Sequence, residues 1–166
     1  MKDKKLLSVI KEYLKCYENQ VLEDWYELIR HISVSETGEG IETCCDWIQK
    51  KMEEIGIQVT KYSVKPAPVL VGRVGNDPEK KTVLIYAHYD VKPAGERKLW
   101  HSDPFVPTVR DGKVYARGSA DNKSPLLEPL KALEYFVRNK MEVPVNVIFV
   151  LEGAEECGSV GLEEFM

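Results

Sequence analysis

The sequence has no long apolar run. No window approaches the roughly 18 apolar residues of a membrane span, and the N-terminal MKDKKLLSVIKEYLKCYENQ is charged throughout, without the apolar stretch of a signal peptide. Both absences predict a cytoplasmic protein and no membrane partner. A basic surplus is also missing. The net charge is -4, and a nucleic-acid binder needs a basic face, so no nucleic-acid partner is expected. Cysteine is sparse: Cys16, Cys44, Cys45 and Cys157 have no zinc-knuckle spacing and fit a reducing compartment as structural or incidental thiols. Repeats and low-complexity tracts are lacking. What remains, 43% hydrophobic and 30% charged over 166 residues, suffices for a globular domain with a real core.

The first third reads as helix. Leu6, Leu7, Ile10 and Leu14 recur at helical spacing over Lys4–Tyr17, and a second segment over Val21–Ile32 places Trp25, Leu28 and Ile29 on one face. SVSETGEGIE breaks the pattern. Ile41–Ile55 is a third helix, closed by Gly56 as a left-handed cap. Beyond it come short β-rich runs at Gln58–Val64, Val69–Val74 and Thr82–Ala87. Val106–Arg110 and Lys113–Ala116 flank Asp111-Gly112, a strong hairpin signal. Leu126–Asn139 is helical in period, with Pro125 suited to a first turn and Pro129 expected to kink the helix or mark its start. Val145–Leu151 is continuously apolar, as in a strand buried on both faces, and Gly158–Phe165 begins another helix. The order predicts an α/β fold: N-terminal helices, then a sheet with helices on both faces. Ligand sites in such sheets lie at the carboxyl ends of strands.

Three segments at such ends carry chemistry. In VLIYAHYDVKP, His88 and Asp90 are two apart and share one side of an extended chain, so the carboxylate can hold one ring nitrogen while the other binds a metal. In VYARGSADNKS, Asp121 follows a strand and a turn and precedes a helix; one carboxylate can offer an oxygen to each of two metals. In VIFVLEGAEECGS an apolar strand delivers Glu152, then Glu155 and Glu156; carboxylates so placed repel unless a cation compensates, and one of them can serve as general base. Taken singly, each has a plainer reading: a polar strand end, a helix cap, an exposed acidic loop.

Together, H-x-D, G-S-x-D-N-K and E-G-x-E-E-x-G-S, each after a strand and in this order, with LWHSDPFVPTVRDGKVYARGS between the first two, resemble the M20-type metallopeptidases. That family includes carnosinase, cytosolic and bacterial dipeptidases, aminoacylase and the acetylornithine and succinyl-diaminopimelate deacylases. The resemblance runs from about Tyr26 to Phe165. It implies a zinc-exopeptidase-like sheet and two zinc ions, with cobalt or manganese as substitutes. His88 would bind one zinc, oriented by Asp90; Asp121 would bridge both; Glu156 would ligate the second; Glu155 would be the general base on the bridging water. A non-proline cis peptide is expected at Asp121-Asn122. E-G-x-E-E-x-G-S and WHSDPF resemble the dipeptidase branch, which implies hydrolysis of dipeptides or other small peptides.

Ser124 and Ala116 depart from the family, where glycine is usual. The resemblance further implies that residues 1–166 are the N-terminal portion of a catalytic domain. A later acidic ligand, a late histidine and a dimerisation domain lie outside it. Each zinc would then find about two protein ligands, where a catalytic zinc takes three plus water. The segment alone is expected to be inactive and to leave an apolar sheet edge open, and the full-length form to be a homodimer. Two alternatives stand beside the dipeptidase reading: an N-acyl-amino-acid deacylase of the same family, and a non-catalytic truncated protein acting through a partner chain.

Overall fold

A computed structural model describes residues 2–166, apart from the side chains of residues 2–6 and 164. In chain order the elements are α1 (Lys2–Arg30), α2 (Ile41–Glu54), β1 (Gln58–Tyr62), β2 (Val69–Val74), β3 (Thr82–His88), β4 (Thr108–Arg110), β5 (Lys113–Tyr115), α3 (Ser124–Arg138), β6 (Asn146–Glu152) and α4 (Val160–Phe165). Four strands form a mixed sheet in the order β1-β2-β6-β3; β3 runs parallel to β6, and the other pairs are antiparallel. β4 and β5 form a separate hairpin, and Asp111 and Gly112 at its turn both have positive φ, as a two-residue turn of this kind requires.

The two helices expected before Ile41 are one. Their apolar spacing lapses between Tyr17 and Val21, but Glu18, Asn19 and Gln20 do not break a helix. Leu28 and Ile29 are fully buried. Leu7 and Leu14 are exposed; the side chain of Leu6 lies outside the described residues. Pro129 does not mark the start of α3, which begins at Ser124 with Pro125 in its first turn.

Register sorts the sheet into two faces. Ile85, Ala87, Val147, Phe149, Leu151 and Leu70 share one, packed with Met52 and Ile48 of α2 and Leu126 and Leu130 of α3. Leu84, Tyr86, Ile148 and Val150 share the other. There α4 packs on the β1–β2 side, with Phe165 against Tyr62 and ring centroids 4.9 Å apart. Helices therefore lie on both faces, but unequally. β6 is buried as expected at Val147, Phe149 and Leu151, whereas Ile148 and Val150 are only half-buried, and Leu84 on the edge strand β3 is 65% exposed. β3 is an edge strand of the sheet, with Val83, Leu84 and Tyr86 exposed.

One buried charge ties the three long helices together. Asp24 of α1, 4% exposed, pairs with Lys51 of α2 at 3.1 Å and with Lys131 of α3. Among the described residues no helix is long and apolar enough to cross a membrane.

Candidate active site

β3 and β6 are parallel neighbours with His88 in register with Glu152, so both strands deliver their carboxyl ends to the same place. Three chain segments meet there: the end of β3, the turn at Ser119–Lys123 before α3, and the turn at Glu155–Cys157 after β6.

His88 is the last residue of β3 and is 5% exposed. Its Nε2 lies 3.1 Å from Asp121 Oδ1 and 3.7 Å from Glu155 Oε2. Its Nδ1 lies 3.3 Å from Asp90 Oδ1 and 3.2 Å from the Asp90 carbonyl. Burial alone would lower the pKa of the imidazole. The hydrogen bond and charge of Asp90, with the charge of Glu155, outweigh burial and lift it to about 9.

Asp90 is fully buried and does more than hold the ring. Its Oδ1 accepts the backbone N–H of Glu155 at 3.2 Å, and its Oδ2 accepts that of Glu156 at 3.0 Å. Burial would raise its pKa; His88 and the Glu156 amide hold it below the usual carboxylate value. Asp121 sits in an irregular turn with extended backbone (φ −124°, ψ 98°), and its side chain is 76% exposed. The Asp121-Asn122 peptide is cis, as the family resemblance implies. Asn122 Oδ1 accepts the backbone N–H of His88 at 3.3 Å, which joins this turn to the end of β3.

Beside the candidate site, glycine is required at Gly153 and Gly118 because side chains press on the backbone. A Cβ at Gly153 would lie 2.5 Å from the Tyr89 ring, whose hydroxyl is anchored on the Pro68 carbonyl at 2.7 Å. One at Gly118, where φ is +78°, would lie 2.6 Å from Val91. Both glycines belong to the motifs read from the sequence, and both bring a candidate segment against the Tyr89–Val91 stretch.

The structure thus brings together His88, Asp90, Asp121 and Glu155. Glu156 is joined to them through its backbone; its carboxylate faces Lys92, with Nζ 3.7 Å from Oε2. An imidazole nitrogen and carboxylate oxygens are donors of the kind zinc takes. Among the described residues, however, no three such side chains close into a complete ligand set. His88 and Asp121, with donor atoms 3.1 Å apart, could supply part of a coordination shell.

Two participants were not assigned a role from the sequence. Glu152, 1% exposed, accepts from the Tyr86 hydroxyl at 2.5 Å and the Ser159 hydroxyl at 2.8 Å. Lys123, 1% exposed, donates to two main-chain carbonyls. Lys123 closes the G-S-x-D-N-K motif, yet nothing in its local pattern signals burial. The cysteines are free: Cys44 and Cys45 are fully buried, with burial pushing the Cys45 thiol up to about 11, and Cys16 and Cys157 are exposed.

The family profile described as Peptidase family M20/M25/M40 matches residues 84–166, half of the chain. Beta-Ala-His dipeptidase of Rattus norvegicus is 45% identical over 104 residues, covering 63% of this chain and 21% of that protein. Cys-Gly metallodipeptidase dug1 of Schizosaccharomyces pombe is 42% identical over 120 residues, covering 70% and 25%. The crystal structure of human carnosine dipeptidase 1 superposes with a TM-score of 0.90 at 32% identity, covering 96% of this chain and 37% of that one. The chain therefore spans about a fifth to a quarter of the length of these curated relatives. The match begins inside β3 and takes in every segment that meets at the end of the sheet: the chain belongs to the M20/M25/M40 peptidase family.

Proposed function

We propose that this chain contributes His88, Asp90, Asp121, Glu155 and Glu156 to a zinc-dependent hydrolase of dipeptides or other small peptides. The observation that carries the reading is the convergence on His88 Nε2 of Asp121 at 3.1 Å and Glu155 at 3.7 Å, with Asp90 behind the ring. The rat and fission-yeast relatives, by their descriptions dipeptidases, support the substrate class.

His88 and Asp121 would hold the first zinc, and Asp121 and Glu156 the second. Bound zinc supplies Lewis acidity, which polarises the scissile carbonyl and lowers the pKa of water. Asp90 keeps the imidazole oriented and its Nε2 directed outward. Glu155 accepts the proton of the attacking water and returns it to the leaving amine, in the way a single carboxylate serves as base and then acid. Its side chain is 42% exposed, so water and substrate reach it. The homodimer implied by the family resemblance belongs to the same proposal.

The test is hydrolysis by the intact protein, supplied with zinc, cobalt or manganese, of a panel of dipeptides set against N-acyl amino acids. Cleavage of dipeptides with N-acyl amino acids untouched is expected. Cleavage confined to N-acyl amino acids would move the protein to the deacylase branch. Failure to cleave any compound with any metal would sink the reading.

A further inference from the structure

Lys123 is a charged side chain in the core, 1% exposed. Its Nζ donates to the carbonyls of Leu28, at 3.1 Å, and His31, at 2.5 Å. Those carbonyls lie at the end of α1, which stops at Arg30. The last carbonyls of a helix lack intrahelical partners, and the negative end of its dipole favours a cation. Lys123 therefore closes a helix from a distant part of the chain.

The same helix end is fastened to the other side of the site. Just beyond it, the fully buried Ser33 donates its hydroxyl to the Tyr89 carbonyl at 2.6 Å, and its own carbonyl accepts from Val91 N–H at 2.8 Å. Tyr89 and Val91 alternate with His88 and Asp90. The end of α1 thus holds the His88–Asp90 segment through Ser33 and the Asp121 turn through Lys123. Lys123 is two residues past Asp121, and its N–H bonds the Gly118 carbonyl at 3.1 Å, which closes that turn. Its aliphatic stem passes Gly118, where an added Cβ would stand 3.4 Å from Cδ.

We propose that Lys123 is a positioning residue for Asp121, its amine fixing the Asp121 turn to the C-terminal end of α1 so that the carboxylate stays facing His88. This rests on the metal-hydrolase reading above. A lysine serving only to fill the core would stabilise the fold and leave the Asp121–His88 geometry indifferent to its amine.

The experiment compares Lys123→Met, which keeps the stem and removes the amine, with Lys123→Gln, which keeps a neutral donor, in the intact protein. Cobalt affinity, the visible spectrum of the cobalt form and the separate effects on kcat and KM are measured beside the melting temperature. Lys123→Met is expected to bind cobalt roughly 10–100-fold more weakly, the loss typical when a partner that orients a ligand is removed. Its spectrum should change and kcat should fall more than KM moves, with Lys123→Gln intermediate. If Lys123→Met does not fold, Lys123→Gln is read alone on the same measurements. A lower melting temperature with unchanged cobalt affinity and spectrum would overturn the proposal. A wild type that takes up no cobalt defeats the metal reading before any variant is made. In that event the Asp121–His88 separation in metal-free crystal structures of wild type and Lys123→Gln decides: a widened gap supports the positioning role, an unchanged one ends it.

Discussion

At the scale of single residues, a few contacts set the geometry of the candidate site. Glu155, proposed above as the general base, has its carboxylate near His88 Nε2 while staying partly open to solvent. Glu155→Gln keeps the shape and removes the base. We expect metal content unchanged and kcat on a dipeptide down by roughly 10²–10⁴-fold; near-normal turnover in a metal-replete variant would remove Glu155 from that role. Gly153 is set by contact with the Tyr89 ring. Gly153→Ala must displace either the ring or the strand end that leads to Glu155, and overpacking of this kind costs about 1–3 kcal/mol. Denaturant titration would show the loss, and an unchanged midpoint would mean that the ring yields freely. The grouping of His88, Asp121 and Glu155 was legible from the three motifs taken together, through the family resemblance they carry, since each motif alone has a plainer reading. Asp90 was legible only as a partner of His88. Its grip on the amides of Glu155 and Glu156 depends on the approach of two chain segments far apart in sequence, which spacing does not reveal.

At the scale of elements, α1, α2 and α3 are clasped at Asp24. Burial would raise its pKa, but Lys131 and Lys51 hold it below its ordinary value of 3.8. A carboxylate depressed in the folded state adds stability that is present above pH 3.8 and is lost as pH falls through the folded pKa. Asp24→Asn should therefore cost on the order of 3 kcal/mol at neutral pH, as breaking a buried pair does, and the gap from wild type should close as pH drops below about 4. Chemical denaturation from pH 7 to pH 2.5 measures both; a gap constant with pH would show that the charge of Asp24 contributes nothing. The strands, the hairpin turn and α3 were readable from periodicity and turn residues. The continuity of α1 was not, because a lapse in apolar spacing marks the end of a buried face, not the end of a helix. Much of the first half of α1 is exposed, and nothing there needs an apolar stripe to remain helical.

At the scale of the whole molecule, among the described residues the sheet is covered fully on one face and only in part on the other, with Leu84 and Tyr86 exposed on the edge strand β3. The fold class was evident from the order of elements, but not this asymmetry, since a continuous apolar run reads the same whether one face or both are covered. The metal reading makes a prediction at this scale too. A ligand that binds only the folded state stabilises it by mass action, by about 2.7 kcal/mol at a hundredfold excess over its dissociation constant. Zinc added to the chelator-stripped intact protein should raise its melting temperature, and His88→Ala should abolish most of that rise. A melting curve indifferent to zinc would remove the metal from the account.

Asp90 holds the residues after β6 by their amide hydrogens and not by their side chains. A carboxylate gripping main-chain N–H groups is blind to what those residues carry, so the mounting is separate from the reagent it mounts. Exchanges at Glu155 or Glu156 can change the chemistry without loosening the frame, whereas exchange of Asp90 disturbs both positions at once. Under the proposed function, substitutions at positions 155 and 156 would therefore probe the chemistry, and substitution at position 90 would probe the frame that holds it.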